Sequence, residues 1–491
     1  MGSRRPVILF FACALVTSCM AELGDGAGPV IADTSTTSTT PEWVRPSIPT
    51  PVDIQGVEPG ESIQAAVDAA PEGAELVIAP GLHRAQSVHP KTGQTITGAP
   101  DAVLSGAMTL SEFVEQDGIW VHEGITAEGE RMGGCIDEES ACDLPEDLYI
   151  DGERITRERT LDGLDADSWY LDYASDTLHL GRDPGDSLVE LAVVPYAFGG
   201  DTTDVTIQGL VIEKYASPAQ RGAIDVGTGW KILGNEIRLN HGAALYPASD
   251  STVSDNYLHH NGQIAIDGGG NSSVYERNEI AFNNLGDFSF EWGAGGVKFV
   301  HTSDLVLRDN FVHHNHGPGL WIDGYNTDTL FEGNRVIDNF DAGIKIEISG
   351  SATVRNNVIE GNGFGNEYPP RGAGIIIRES GPVEVTGNRL FGNKDALVLH
   401  QDNARENETG NHLHGVIVRD NEVNLDGGAV GYFGDIPSDA FETADLTFED
   451  NRYTGRDGDA LFLDHGQNVD FTQWQENGRD AGSTFSEAAD S

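Results

Sequence analysis

Two acidic residues, Asp323 and Glu347, end short phrases that alternate alike, Leu320-Trp321-Ile322-Asp323 and Ile344-Lys345-Ile346-Glu347. Successive side chains of an extended strand point to opposite faces. If Leu320, Ile322, Ile344 and Ile346 face a core, Trp321, Asp323, Lys345 and Glu347 face out. Each carboxylate follows an asparagine, Asn310 or Asn334, by 13 residues. Equal counts put the pair at equivalent positions of successive structural units. Neighbouring strands lie ~4.8 Å apart, and carboxyl groups at roughly 5 Å suit hydrolysis of a glycosidic bond with retention, one as nucleophile and the other as acid/base. Aligning other units by their apolar residues adds Asp267 beneath Asp323, then Lys298, Arg378 and His400. Trp321 offers a flat plate for a sugar ring. Two insertions, around Phe288-Ser289-Phe290-Glu291-Trp292 and Gly363-Phe364-Gly365-Asn366-Glu367-Tyr368, are placed to wall a groove, bringing Glu291 and Trp292 to its edge.

The elements that must hold these residues are written as a repeat. Leading asparagines recur at Asn235, Asn256, Asn278, Asn310, Asn334, Asn357 and Asn388, each followed five residues later by a second: Asn240, Asn261, Asn283, Asn315, Asn339, Asn362 and Asn393. The steps between leaders are 21, 22, 32, 24, 23 and 31 residues, a base period a little over twenty with two long insertions. That period suits three short strands per turn of a solenoid. Asparagine tolerates left-handed turn backbone, and its amide can bond the amides above and below, so the pairs are read as structural ladders. Weaker copies at Asn421 with Asp426, and at Asn451, carry the array to about residue 465. The expected fold is therefore all-β: a right-handed, single-stranded parallel β-helix.

Its ends and interruptions also show. Residues 61–70 space their apolar side chains as a short amphipathic helix does, and Pro71 and Gly73 stop it. A helix there would plug the open end of the first coil. Between residues 107 and 195 the rhythm breaks into hairpin-like phrases such as Asp147-Leu148-Tyr149-Ile150-Asp151-Gly152. The expected order is a cap helix and first coils at 56–106, an inserted β-rich subdomain at 107–195, β-helix repeats at 196–465 and a C-terminal cap or tail at 466–491.

Ahead of this lies a basic start, an apolar run from Val7 to Val16, and Val16-Thr17-Ser18-Cys19. The run is too short to span a bilayer and reads as an export signal at 1–18. The phrase resembles the lipobox of bacterial lipoproteins, which implies lipidation at Cys19, a membrane anchor, and a Thr/Ser/Pro-rich tether at 19–55; an ordinary secretory peptide is the alternative. Cys135 and Cys142 are then expected to close a small loop as a disulfide in an oxidising compartment.

The phrases Gly319-Leu320-Trp321-Ile322-Asp323 and Ile346-Glu347-Ile348-Ser349 resemble the catalytic coils of parallel-β-helix retaining glycoside hydrolases, above all the β-helix β-xylosidase family. The resemblance implies Asp323 as nucleophile and Glu347 as acid/base, with an oligo- or polysaccharide as substrate. Lys345 in this column departs from the family pattern.

A formal charge of −50, from 79 acidic against 29 basic residues, argues against nucleic acid as a partner and fits a surface adapted to salt. No cofactor is called for, although Asp267 or Asp323 could take Ca2+ in the rival reading of a lyase, with Lys298, Lys345 or Arg378 abstracting a proton beside a uronate carboxylate. A second rival is a non-catalytic glycan-binding lipoprotein. A monomer is expected.

Overall fold

The computed structural model describes residues 56–366, 372–402, 411–425, 428–434, 443–456, 459 and 461–487. The expected export signal, Cys19, the expected tether, Glu367, Tyr368 and Asp426 lie outside them. Three long sheets of 12, 13 and 11 strands run along the chain, each strand pairing with its counterpart one coil on. Pairing is parallel throughout these sheets except where Phe462–Asp464 turns back on Gln467–Val469. Most strands hold three to five residues, and one apolar side chain after another points into a single continuous core.

The asparagines hold the coils in register. Asn310 Nδ2 donates to Asn334 Oδ1 at 3.0 Å and to the Tyr275 carbonyl at 2.9 Å, while its backbone N–H also donates to Asn334 Oδ1, at 3.0 Å. The same pattern repeats from Asn235 to Asn451 in one ladder and from Asn240 to Asn393 in the other. Buried amides survive only when paired, and here each neighbour supplies the partner. One expectation is corrected: the left-handed residue is the one before the ladder asparagine, as at Gly333 (φ 67°), Asp309 (φ 55°) and His314 (φ 51°). Asparagine itself is chosen for its hydrogen bonds.

Helix α1 (Ile63–Ala69) buries Ile63 and Val67 over the first coil, and Ser62 Oγ caps it by accepting from the Ala65 N–H at 3.1 Å. Between Ala107 and Ala192 a separate sheet of eight strands forms, with its own core around Trp169, Leu178 and Leu191. The 32-residue step carries helix α2 (Phe290–Gly293) just before the outward strand Gly295–Val300. Helix α3 (Phe471–Glu476) packs its buried Trp474 on Phe448 and Phe462 of the last coils. Among the described residues no helix is long and apolar enough to cross a membrane.

Candidate active site

The outer face of the 11-stranded sheet carries two columns. In one, Val300, Asp323, Glu347, Arg378 and His400 are successive register partners. In the other the order is Asp267, Lys298, Trp321, Lys345 and Ile376. Asp323 thus sits opposite Glu347 on the adjacent strand, ~4.8 Å away along the ladder. Asp267 does not lie beneath Asp323. It pairs with Lys298 in the Trp321 column, two residues off the expected alignment, because the insertion carrying α2 intervenes before the next strand.

Each carboxylate of the pair has a cation. Lys298 Nζ lies 3.0 Å from Asp323 Oδ2. Glu347 is buried, with Lys345 Nζ 3.3 Å from Oε2 and Arg378 3.3 Å from Oε1. Arg378 in turn reaches Glu379 at 3.2 Å and Asp402 at 3.7 Å.

Trp321 is not the exposed plate expected. It is 1% exposed, and the ammonium groups of Lys298 and Lys345, from the strands on either side, sit 3.8 and 4.1 Å from its ring centroid. Cation–π contacts of this kind occupy both faces, leaving neither for a sugar ring. Its indole N–H is buried without an acceptor.

Trp321 and Lys345, with the Asp323–Glu347 pair and Arg378 but without Lys298, line a cavity of about 220 Å³. Asp323, Lys345, Glu347 and Arg378 form the floor, Phe290 and Glu291 of α2 one wall, and Asp341 and Asn366 another. Asp341, which sequence reading missed, is 1% exposed and accepts from Asn366 Nδ2 at 3.0 Å. Burial pushes its carboxyl up from the ordinary range, against the opposing pull of Lys345 and the Asn366 hydrogen bond. The signal for it was faint: a lone aspartate in a loop, three residues before its strand. Asp267, below the cavity, is pushed up to about 7 by burial, with Lys298 opposing, and its Oδ2 has no hydrogen-bond partner.

His400 and Trp292 stand apart from the cavity. His400 stacks on Phe433 with centroids 5.7 Å apart and faces Glu379 at 3.6 Å. Trp292 packs with Phe288 beside the disulfide joining Cys135 and Cys142. That disulfide loop belongs to the stretch inserted between coils, yet it holds α2 from outside. Cys135 bridges Phe288, the Ser289 N–H donates to the Gly134 carbonyl at 2.7 Å, and the Ile136 N–H donates to Asp287 at 2.9 Å. Trp292 passes the restraint on, its carbonyl accepting from Lys298 Nζ at 3.1 Å.

The donor set does not suit Ca2+: Asp267 and Asp323 face Lys298, and among the described residues no group of three or more His, Cys, Asp or Glu is arranged to hold a metal ion.

Comparison with known proteins bears on the scaffold. The family model described as "right handed beta helix region" matches residues 223–368. A tail spike protein of Salmonella phage epsilon15 is 26% identical over 137 residues, which are 25% of this chain and 13% of that protein, so the match spans about an eighth of its relative. Among solved structures, the complex of XylC with xylose superposes with a TM-score of 0.55 at 15% identity, covering 86% of this chain and 79% of the other. The A-module of the Azotobacter vinelandii mannuronan C-5 epimerase AlgE6 does so with 0.51 at 13% identity, covering 87% and 95%. Identities this low speak for fold alone, and together with the coil-to-coil parallel pairing of the three long sheets they make the chain a right-handed parallel β-helix.

Proposed function

We propose that the protein is a carbohydrate-active enzyme, specifically a retaining glycoside hydrolase with Asp323 as nucleophile and Glu347 as acid/base. The observation that carries this reading is the register pairing of the two carboxylates on adjacent strands at the floor of a walled cavity. Retaining enzymes hold their carboxyl groups ~5–5.5 Å apart, and inverting enzymes hold them farther apart to admit a water. Neighbouring strands of one sheet supply the shorter spacing without further adjustment. Lys298 Nζ, 3.0 Å from Oδ2, holds the Asp323 side chain in place. Asp323 attacks the anomeric carbon while Glu347 protonates the departing oxygen; Glu347 then takes a proton from water, which displaces Asp323. The buried indole N–H of Trp321 is a donor for a sugar hydroxyl, a role that replaces stacking.

That XylC, a structural neighbour, is known bound to xylose is in keeping with this reading. A lyase on uronate polymers is the weaker alternative, because Lys298, Lys345 and Arg378 are each engaged by carboxylates of the protein itself. We further propose export with a lipid anchor at Cys19 and a saccharide as the partner.

The test is a panel of aryl glycosides. Wild type is expected to release the aryl group from at least one, D323A to be inactive, and added azide to revive D323A with formation of the inverted glycosyl azide. Release by D323A at the wild-type rate without azide defeats the assignment. A rise in ultraviolet absorbance on uronate polymers, with no hydrolysis, transfers it to the lyase.

A further inference from the structure

The corner that follows the strand Leu320–Asp323 holds one residue more than the corners beside it. Thr302, Asn326, Ser349 and Ser380 are equivalent positions of successive coils. The Thr302 N–H donates to Asn326 Oδ1 at 3.1 Å, Asn326 Nδ2 donates to Ser349 Oγ at 3.2 Å, and the Ser349 N–H donates to Ser380 Oγ at 3.0 Å. Val300, Asp323, Glu347 and Arg378 are equivalent in the same way, as register partners. In three of these coils a single residue joins the two positions, His301, Ile348 or Glu379, and it turns the corner in the left-handed region (φ 54°, 46° and 43°). In the Asp323 coil there are two, Gly324 and Tyr325, both at φ 67°.

The shorter corner already joins the sheets, so the solenoid does not require the longer one. What the extra residue adds is an exposed ring. Glycine takes the left-handed conformation freely and a bulky aromatic does not, and a bulge of this kind re-aims a side chain beside a site. Tyr325 is 53% exposed. The ring of His301, from the preceding coil, lies nearly parallel to it, 11° off with centroids 5.6 Å apart. A tyrosine so backed presents a flat apolar face in a fixed orientation.

Its place matters as much as its exposure. Tyr325 is two residues past Asp323, a reach of at most ~7 Å between Cα atoms. The cavity walls Phe290, Glu291, Asp341 and Asn366 all precede outward strands of this sheet, and among the described residues none that follows those strands lines the cavity. Tyr325 therefore stands at the edge that carries no wall. At about 220 Å³ the cavity is smaller than the ~300–1,000 Å³ of most ligand pockets and has room for one sugar ring. A second ring of the same substrate must lie outside it.

We propose that Tyr325, backed by His301, is the stacking platform for the sugar ring next to the one in the cavity, so that the preferred substrate is an oligosaccharide of uncharged units. The proposal rests on Asp323 and Glu347 being the catalytic pair. Tyr325 supplies the flat plate that Trp321, clamped between two lysines, does not. An apolar plate on a chain of formal charge −50 favours uncharged sugars over uronates.

Kinetics on two substrates test this, both made from the sugar that the aryl glycoside panel identifies: its oligosaccharide, and its glycosyl fluoride, whose leaving group has no ring to stack. The readout is the ratio of kcat/KM for the oligosaccharide to that for the fluoride. Y325G removes the ring and should lower the ratio about tenfold or more. Its thermal midpoint should stay near wild type, because glycine suits the left-handed corner. Y325W and Y325F keep a ring and should hold the ratio within about threefold of wild type. A ratio unmoved in Y325G, or lowered as far in Y325F as in Y325G, overturns the platform and leaves the catalytic pair standing. A wild type inert toward every glycosyl fluoride and oligosaccharide overturns both.

Discussion

The asparagine ladders and the charged face of the 11-stranded sheet are built on the same coils but obey opposite rules. Along the ladders each amide is neutral, buried and bonded to its neighbour. On the charged face, by contrast, Lys298, Asp323, Lys345, Glu347 and Arg378 crowd together with polar atoms left over: Trp321 Nε1 and Asp267 Oδ2 have no hydrogen-bond partner, and Arg378 Nε meets Glu379 Oε2 at 3.2 Å without hydrogen-bond geometry. Crowded charge on one face and self-satisfied amides on another are two different demands on the same coils. Ladder residues hold the rod, and the columns on the 11-stranded sheet carry the groups to which the proposed function assigns the chemistry.

That division can be broken in four ways, the first with the largest effect. D323N should lower kcat by ~10³-fold or more while shifting the thermal midpoint little, measured on the best aryl glycoside and by calorimetry; equal losses of activity and stability would erase the distinction. N310A should do the reverse. It strands the amides of Asn278 and the carbonyl of Tyr275, at about 2–4 kcal/mol in urea unfolding, with kcat per folded molecule unchanged. Replacing Cys135 and Cys142 together by serine should fall between the regions: kcat/KM drops about tenfold as α2 and Glu291 loosen, while the solenoid's own unfolding stays near wild type. The smallest effect is on pH. Asp267 carries a folded-state pKa raised to about 7 above an unfolded value near 3.8, so the stability it lends its protonated form is full below pH 4 and lost as pH climbs through 7. D267N should therefore match wild type at pH 4 and exceed it at pH 8 by roughly 2–4 °C in Tm.

How much of this was legible in the sequence follows the same division. The ladders could be read because each coil repeats the same demand at the same place. The Asp323–Glu347 pairing could be read because no insertion falls between Asn310 and Glu347 beyond the ordinary length of a coil. Asp267 was misplaced because the step from Asn278 to Asn310 is 32 residues and apolar alternation does not say where the extra ones are absorbed. Trp321 was turned outward correctly, but alternation says nothing of what covers an outward residue, and lysines from two other coils do so. Asp341 sits in a loop with no period at all.

The two end helices have a consequence for how such a rod can associate. A coil offers the same pairing edge to its neighbour as it would to the first coil of another copy, so a solenoid with open ends is a monomer unit for head-to-tail polymerisation. α1 at one end, and α3 with Trp474 at the other, pack over the open core of the terminal coils. Caps so placed stand in the way of end-to-end stacking, and a change in their packing would be felt first as a change in how copies associate.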